Sequence, residues 1–214
     1  MLEIFSGSDA MADAAAQAVA AQLAAGLAAR GRASLVATGG RSPGPVYDRL
    51  KDAPLDWAHV AVTLSDERQV DIDSPNANVR QLRERLFVGE AARAQYLPLT
   101  DYAEPALKKL MPFDAVMLGM GEDGHVASLF PGAPAEVTAS SATCIAVIGP
   151  KPPPHRVTLT YPAILAARAV WVIVSGAAKE NALRNSLSAG AITPLGRVLA
   201  NRVATIFCAE VAVS

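Results

Sequence analysis

The residues best suited to do chemistry lie in one stretch, residues 116–132, which reads VMLGMGEDGHVASLFPG. Asp123 and His125 stand there two positions apart, and Ser128 follows. Histidine changes charge near neutral pH and can act as a general base or acid, and a nearby carboxylate can orient its ring. A lone loop histidine is more often a surface or structural residue, so the residue types alone leave both interpretations open.

A predicted strand and glycine turns carry these side chains. Residues 113–118 have the length and apolar composition of a buried strand. Gly119, Gly121 and Gly124 follow, and glycine allows the backbone to turn sharply. Because open α/β sheets bind ligands beyond the carboxyl ends of their strands, we expect a site at that edge of the sheet.

A second glycine-containing turn follows the predicted strand over residues 33–37 and precedes a predicted helix through Tyr47 and Leu50. The backbone amides of such a turn and the positive end of the helix are suited to bind a phosphate. A pair of glycines is more often only a turn, so both interpretations are open. The candidate phosphate ligands here are Gly39, Gly40, Arg41 and Ser42.

A charged triplet, Asp66, Glu67 and Arg68, follows the predicted strand over residues 59–64. If the chain is still extended there, the side chains of Asp66 and Arg68 point to the same face. A charged triplet after a strand is usually a solvated rim. The alternation also suits a site in which Asp66 and Arg68 act together.

A lysine follows the predicted strand over residues 170–174. We expect a helix to begin near Ala178, with Lys179 in its first turn. The helix dipole disfavours a cation there, so a bound anion would explain the lysine. Alternatively, the lysine has no function and destabilises the helix by about a few tenths of a kcal/mol. All of these anion-binding candidates follow strand ends, so we expect them to converge on one edge of the sheet.

Composition restricts the classes of function. The 214 residues carry a net charge of −1, which gives no electrostatic footprint for nucleic acid or an anionic membrane. The sequence has no purely apolar stretch of about 18 residues and no export signal, so we expect a cytoplasmic protein. Cys144 and Cys208 lie in apolar runs, as core residues in a reducing compartment do. The histidines are scattered and no CxxC pair exists, so no metal site is expected.

Strands alternate with helices along the chain, beginning with a short strand over residues 2–5 and a long alanine-rich helix that we expect Ser8 to cap and Gly31 to end. No low-complexity linker or internal repeat divides the sequence, so residues 1–214 are expected to form a single domain. We predict a three-layer, doubly wound α/β fold of a modified Rossmann-like type. Its mainly parallel sheet has helices on both faces.

The segment FDAVMLGMGEDGHVASLFPG resembles the signature of the 6-phosphogluconolactonase family, whose members share an LGxGxDGHxASLFP stretch. The turn GGRSP resembles the family's SGGSTP loop, with Arg41 where the family usually has a small hydroxyl residue. Gly176 to Lys179 resembles the family's glycine, two residues and lysine. The resemblance runs in order over nearly the whole chain, and the DGH segment is its most specific element.

Two further segments carry the resemblance. The stretch beginning DERQVD is similar to the family's DERxVPxxxxxSN pattern, with Asp71 in place of the usual proline and Ala77 in place of the serine. Asn78 is kept. The segment PPHRVTLT is similar to the family's PPxRxTLT and supplies Arg156. His155 lies outside every site motif and is expected at the surface.

The resemblance implies hydrolysis of 6-phospho-D-glucono-1,5-lactone to 6-phospho-D-gluconate in the oxidative pentose phosphate pathway, with a small phosphorylated sugar lactone as the ligand. His125 would be the base that activates water, Asp123 would orient the loop or the imidazole, and Asp66 would shape the site. Arg68, Lys179 and residues 39–42 would hold the phosphate. No cofactor is needed, because a lactone is already a reactive ester. Supporting roles would fall to Asn78, Gly121, Gly124, Ser128 and Arg156.

Two alternatives are weighed against this assignment. Enzymes that isomerise and deaminate glucosamine 6-phosphate also have a DGH loop, but they continue it with Phe, Asn and Glu where this chain has Ser128, Leu129 and Phe130. They also have an aromatic residue at the position of Arg68, so both differences favour the lactonase. A non-catalytic sugar-phosphate-binding protein is the third possibility, against which the intact His125 argues. The sequence predicts no oligomeric state.

Overall fold

The computed structural model describes residues 1–211. Its strands are β1 (Leu2–Phe5), β2 (Ala33–Ala37), β3 (Val60–Leu64), β4 (Asp66–Arg68), β5 (Gln95–Tyr96), β6 (Ala115–Gly119), β7 (Cys144–Ile148), β8 (His155–Leu159), β9 (Ala169–Ser175) and β10 (Thr205–Ala209). Its α-helices are α1 (Ser8–Arg30), α2 (Gly44–Leu50), α3 (Asn78–Arg85), α4 (Glu104–Lys108), α5 (Ala135–Thr138), α6 (Tyr161–Leu165), α7 (Glu180–Leu187) and α8 (Pro194–Asn201).

The main sheet has seven strands in the order β1-β10-β9-β6-β2-β3-β5, and every pairing in it is parallel. The inner strand β2 is buried along its whole length, with Leu35 opposite Val62 of β3 and Ala115 of β6. A strand covered on both faces reads as an unbroken apolar run, which is why β2 and β6 were recognisable in the sequence.

Helices pack around this sheet in two groups. α1 contacts α2 and α2 contacts α3, while α8 contacts both α6 and α7. α1 buries Met11, Val19 and Leu23 among other residues, and it ends at Gly31, which has a φ of 67° and donates its N–H to the Leu27 carbonyl. The predicted α/β fold with a mainly parallel sheet and surrounding helices is therefore confirmed.

The start of α1 differs from the prediction. Gly7, and not Ser8, occupies the N-cap position, and no side chain caps the helix. The Ser8 hydroxyl instead donates to the Glu210 carboxylate at 3.1 Å. The helix is held by the burial of its apolar face, which contributes more to helix stability in proteins than a local cap.

The chain changes direction between β2 and β6, which are neighbours in the sheet. From β2 it proceeds to β3 on one side, and from β6 it proceeds to β9 on the other side. The loops that follow these two strands therefore diverge and leave a crevice at their carboxyl ends, which is where doubly wound folds bind ligands. The two glycine turns singled out in the sequence are these loops.

A second, antiparallel sheet of order β4-β8-β7 stands beside the main one and was not predicted. Its register pairs Asp66 with Thr158 and Arg68 with Arg156. Two cations that are far apart in sequence thus become direct neighbours. No helix within residues 1–211 has both the length and the apolar character needed to cross a membrane.

Candidate active site

A polar cleft opens at the crevice between β2 and β6, and we call it the candidate active-site cleft. It is bounded by the loops after both strands, by β4 and β8, by the start of α3 and by the turn before α7. Its lining residues are Thr38, Gly39, Gly40, Arg41, Ser42, Pro43, Asp66, Arg68, Asn78, Gly119, Met120, Gly121, His125, Ala127, Arg156 and Lys179.

His125 and Asp123 form a hydrogen-bonded pair in the loop after β6. Nδ1 of His125 lies 2.5 Å from Oδ1 of Asp123, and the same oxygen accepts the His125 backbone N–H at 3.2 Å. A carboxylate can only accept, so Nδ1 carries the hydrogen and Nε2 is the basic nitrogen. The predicted pairing of these two residues is present, with His125 in the cleft and Asp123 behind it.

The electrostatics of Asp123 favour its charged form. Burial raises the pKa of this carboxyl, but the charge of His125 and the hydrogen bonds from its ring and backbone outweigh burial, so the net pKa lies below its ordinary value. Asp123 is therefore a carboxylate in the pH range in which an imidazole gains and loses its proton. The pair can orient the ring and stabilise an imidazolium.

Close approach at Gly121 allows the ring of His125 to take this position. A Cβ at Gly121 would lie 2.1 Å from both Cε1 and Nδ1 of His125. The backbone also folds back on itself here, since Gly121 N–H donates to the His125 carbonyl at 2.9 Å. Gly124 has a φ of 81°, a conformation that glycine adopts without strain. The structure therefore favours glycine at both positions.

The His125 ring also packs against an aromatic side chain. The centroid of the Phe130 ring lies 4.8 Å from that of His125, and the Arg156 guanidinium carbon lies 5.5 Å from the Phe130 centroid. Phe130 was not among the predicted site residues. Its place in the LFP part of the DGH segment was the only signal, and an aromatic residue after a glycine loop has no evident chemistry of its own.

The turn after β2 is bonded to the turn before α7. Lys179 Nζ donates to Ser42 Oγ at 3.2 Å, and Ser175 Oγ donates to the same oxygen at 2.7 Å. Lys179 lies in a short 3-10 turn directly before α7, so the structure places it one residue ahead of that α-helix. Gly40 has a φ of 102°, which shapes the turn. The predicted elements at Gly39 to Ser42 and at Lys179 do converge.

Two cations face each other at this end of the cleft. Lys179 is half-buried, and burial lowers its pKa, with the nearby charge of Arg41 acting in the same direction and Glu122 opposing. The Arg41 side chain is exposed and lines the cleft. A lysine and an arginine that repel each other across a small space would both be stabilised by an anion between them.

A buried network around Asp66 forms another part of the cleft wall. Asp66 is 5% exposed, and its Oδ2 accepts a hydrogen bond from Ser128 Oγ at 2.7 Å. Arg156 is 6% exposed and donates to the same hydroxyl at 3.4 Å. Burial lowers the pKa of Arg156, and the neighbouring charge of Arg68 lowers it further, while Asp66 opposes the shift. The negative charge of Asp66 therefore compensates part of the positive charge of Arg68 and Arg156.

Arg68 and Asn78 complete that wall. Arg68 Nη1 donates to the Asn76 carbonyl at 2.7 Å, and its buried Nε has no partner among the described residues. Asn78 Nδ2 donates to the Asp66 carbonyl at 2.9 Å. The side chains of Asp66 and Arg68, two positions apart in β4, both line the cleft.

Most of the predicted site residues thus line a single cleft, and three do not. Asp123 contacts His125, Ser128 contacts Asp66, and Gly124 shapes the loop that holds His125. Sequence reasoning missed Ser175, which bonds to Ser42, and Glu67, whose carboxylate binds backbone amides at the start of α3. Within residues 1–211, no group of three or more His, Cys, Asp or Glu side chains is arranged to hold a metal ion.

The sequence is similar to a known protein family over nearly its whole length. The sequence profile described as glucosamine-6-phosphate isomerases/6-phosphogluconolactonase matches residues 6–207. The 6-phosphogluconolactonase of Caulobacter vibrioides is 37% identical over 84% of this chain and 84% of its own. That of Pseudomonas putida is 37% identical over 78% of this chain and 75% of its own.

A solved structure agrees over nearly the full length. The crystal structure of a 6-phosphogluconolactonase from Shewanella baltica has a TM-score of 0.89 and 32% sequence identity, and the match covers 99% of this chain and 97% of that one. The family profile spans both glycine turns, the DER triplet and Lys179. The chain therefore belongs to the family of glucosamine-6-phosphate isomerases and 6-phosphogluconolactonases.

Proposed function

We propose that this chain is a 6-phosphogluconolactonase, which hydrolyses 6-phospho-D-glucono-1,5-lactone to 6-phospho-D-gluconate in the oxidative pentose phosphate pathway. The observation that carries the proposal is the Asp123–His125 pair at the wall of a cleft whose other lining side chains include four cations. Such a cleft suits a substrate with a phosphate at one end and a hydrolysable ester at the other. The relatives' names support the same reaction.

His125 acts as the general base. With its Nδ1–H donated to Asp123, Nε2 takes a proton from water as the water oxygen bonds to the lactone carbonyl carbon. When the tetrahedral intermediate collapses, the bond from that carbon to the ring oxygen breaks, and the imidazolium returns its proton to the leaving oxygen. Asp123 stabilises the transient positive charge on the ring. The products are a free hydroxyl and a carboxylic acid, which ionises at neutral pH.

The phosphate binds where the turn after β2 meets Lys179. Lys179 and Ser42 are already bonded to each other, and Arg41 lies beside them. Charge-assisted hydrogen bonds from these groups and from the amides of Gly39 and Gly40 hold a phosphate dianion. Arg68 adds a further cation from β4. Binding the distant phosphate holds the carbonyl carbon beside His125.

Asp66 shapes the site by compensating the arginines around it. Its carboxylate accepts from Ser128, which in turn accepts from Arg156, and Asp66 O accepts from Asn78. Arg68 and Arg156 are paired in β4 and β8, and the charge of Asp66 opposes the lowering of the Arg156 pKa, so the loss of this carboxylate would remove that compensation. Gly121, Gly124, Ser128, Asn78 and Arg156 have the supporting roles that follow from these contacts.

We further propose that residues 1–214 act as one lactonase domain in the cytoplasm, on a small-molecule substrate and without a cofactor. The family match over residues 6–207 supports the single domain. Two buried, unpaired cysteines, Cys144 and Cys208, support a reducing compartment.

The glucosamine 6-phosphate alternative is less well supported by this site. Ser128 is bonded to Asp66, Leu129 is buried in the core, and Phe130 packs on His125. A loop with Phe, Asn and Glu at these three positions would lose the bond to Asp66 and bury polar groups. The local packing therefore fits the Ser, Leu and Phe of the lactonase pattern.

A direct assay tests the proposal. Freshly prepared 6-phosphogluconolactone is supplied, product is measured through coupled 6-phosphogluconate dehydrogenase, and the spontaneous rate is subtracted. Ammonia release from glucosamine 6-phosphate is measured in parallel. We expect turnover of the lactone and no ammonia. Ammonia release without lactone hydrolysis would assign the chain to the deaminases, and binding of 6-phosphogluconate with neither activity would indicate a binding protein.

A further inference from the structure

One carboxylate outside the cleft binds three backbone amides that shape it. Glu67 Oε1 accepts the backbone N–H groups of Arg68 and Asn78, both at 2.7 Å, and Oε2 accepts that of Val79 at 2.8 Å. Arg68 and Asn78 line the cleft, whereas Glu67 is not among its lining residues. A single side chain thus joins β4 to the first turn of α3.

Glu67 replaces the missing cap of α3. Ala77 occupies the N-cap position and has no side-chain acceptor, so the first amides of the helix need a partner from elsewhere. Side chains alternate along β4, so Glu67 points away from the face that Asp66 and Arg68 present to the cleft. Burial raises the pKa of Glu67, while its three amide donors oppose that shift. A carboxylate here also interacts favourably with the helix dipole.

The amides that Glu67 holds determine where two cleft side chains lie. Asn78 donates its side-chain amide to the Asp66 carbonyl and packs against Gly39, where a Cβ would come within 2.0 Å of Asn78 Oδ1. Arg68 Nη1 donates to the Asn76 carbonyl, in the loop that leads into α3. A shift of the start of α3 would therefore move Asn78 against the turn after β2 and release the Arg68 guanidinium.

We propose that Glu67 is a positioning residue for the anionic substrate. By holding the amides of Arg68 and Asn78, it fixes the Arg68 guanidinium and the start of α3 in the arrangement that accepts a sugar phosphate. The inference rests on the proposed function for the identity of the ligand, and it adds a residue that acts without touching that ligand. A misplacement of about 1 Å at such a site can cost about a hundredfold in rate.

The test measures binding of 6-phosphogluconate by calorimetry, with circular dichroism and thermal unfolding for each variant. Glu67→Ala removes all three acceptors. Glu67→Gln keeps one oxygen that accepts two of the amides but turns its own N–H₂ toward the Val79 N–H. This variant replaces Glu67→Ala in the experiment if the alanine variant does not fold. Glu84→Ala is the matched control, because Glu84 lies on α3, the helix whose start Glu67 holds, and its exposed carboxylate pairs with Arg80 at 2.8 Å.

We expect Glu67→Ala to weaken binding about tenfold or more, because a displaced Arg68 loses its charge-assisted hydrogen bond to the anion, Glu67→Gln to weaken it less, and Glu84→Ala to leave it unchanged. Glu67→Ala should weaken binding far less in the Arg68→Ala variant than in the parent, because both changes remove the same positioned guanidinium. A lowered melting temperature with parental affinity in the folded variant would overturn the proposal, as would fully additive losses. Since the readout is binding, a parent that binds 6-phosphogluconate without hydrolysing the lactone would contradict the proposed function and not the role of Glu67.

Discussion

Asp123 Oδ1 lies 2.5 Å from Nδ1 of His125, within a loop that keeps both residues at the carboxyl end of β6. The pair is only partly exposed, with 47% of the Asp123 side chain and 30% of the His125 side chain accessible. This contact fixes the tautomer of the imidazole, so that Nε2 is the basic nitrogen of a ring that lines the cleft. The proposed chemistry depends on that arrangement.

Asp123→Asn should lower kcat and change KM little. Asparagine removes the charge that stabilises the imidazolium, and it can present an N–H₂ group to Nδ1, which favours the wrong tautomer. Because Asp123 is half-exposed, we expect a loss of about tenfold to a hundredfold, below that of a fully buried triad aspartate. Steady-state kinetics on the phosphorylated lactone measure it. A parental kcat in the asparagine variant would show that Asp123 does not orient the base.

Gly121→Ala should impair catalysis through a steric effect alone. The new Cβ would lie 2.1 Å from the His125 ring, so the imidazole must move. A displacement of about 1 Å predicts a fall in kcat of about a hundredfold. Gly7→Ala is the control, because no atom lies within 4 Å of a Cβ at that position and its φ is −171°. Equal kcat values for the two variants would contradict the placement of the ring.

Lys179→Ala should weaken the recognition of phosphate specifically. A charge-assisted hydrogen bond contributes about 1.5 to 3 kcal/mol, which corresponds to a loss of about tenfold to a hundredfold in kcat/KM on 6-phosphogluconolactone. The same variant should handle unphosphorylated gluconolactone like the parent. Equal losses on both lactones would place Lys179 near the reacting carbon and away from the phosphate.

The pH dependence of binding should also reflect Lys179. The pKa of an ordinary lysine is about 10.4. Burial and the charge of Arg41 lower the pKa of Lys179 below that value, so its ammonium group loses its proton at a lower pH. Affinity for 6-phosphogluconate should therefore decline as the pH rises toward that value. Lys179→Arg stays charged over this range and should show a flatter profile. Calorimetry between about pH 7 and pH 10 compares the two, and superimposable profiles would contradict the prediction.

Local sequence patterns were sufficient to predict much of the fold and of the site. The apolar runs of β2 and β6 and the glycine turns after them placed the cleft, and the alternation in the triplet placed Asp66 and Arg68 on one face. These features are encoded within a few residues, where strand periodicity and turn chemistry act.

The remaining features depend on contacts between distant parts of the chain. The pairing of Arg68 with Arg156 is set by the register between β4 and β8, which no local pattern specifies. The cap at Glu67 serves a helix that begins at Asn78, beyond an intervening loop. One signal was present, since Ala77 before a predicted helix lacks a capping oxygen and so requires a partner from elsewhere.

The most direct test of the account is the kcat of His125→Ala on 6-phospho-D-glucono-1,5-lactone, with the spontaneous rate subtracted. Circular dichroism and the affinity for 6-phosphogluconate must first match the parent, so that the comparison concerns a folded protein with its phosphate contacts intact. A general base contributes about 10²- to 10⁴-fold, and we predict a fall in kcat within that range with little change in KM. A folded His125→Ala protein that binds product normally and retains a near-parental kcat would contradict the assignment of His125 as the base.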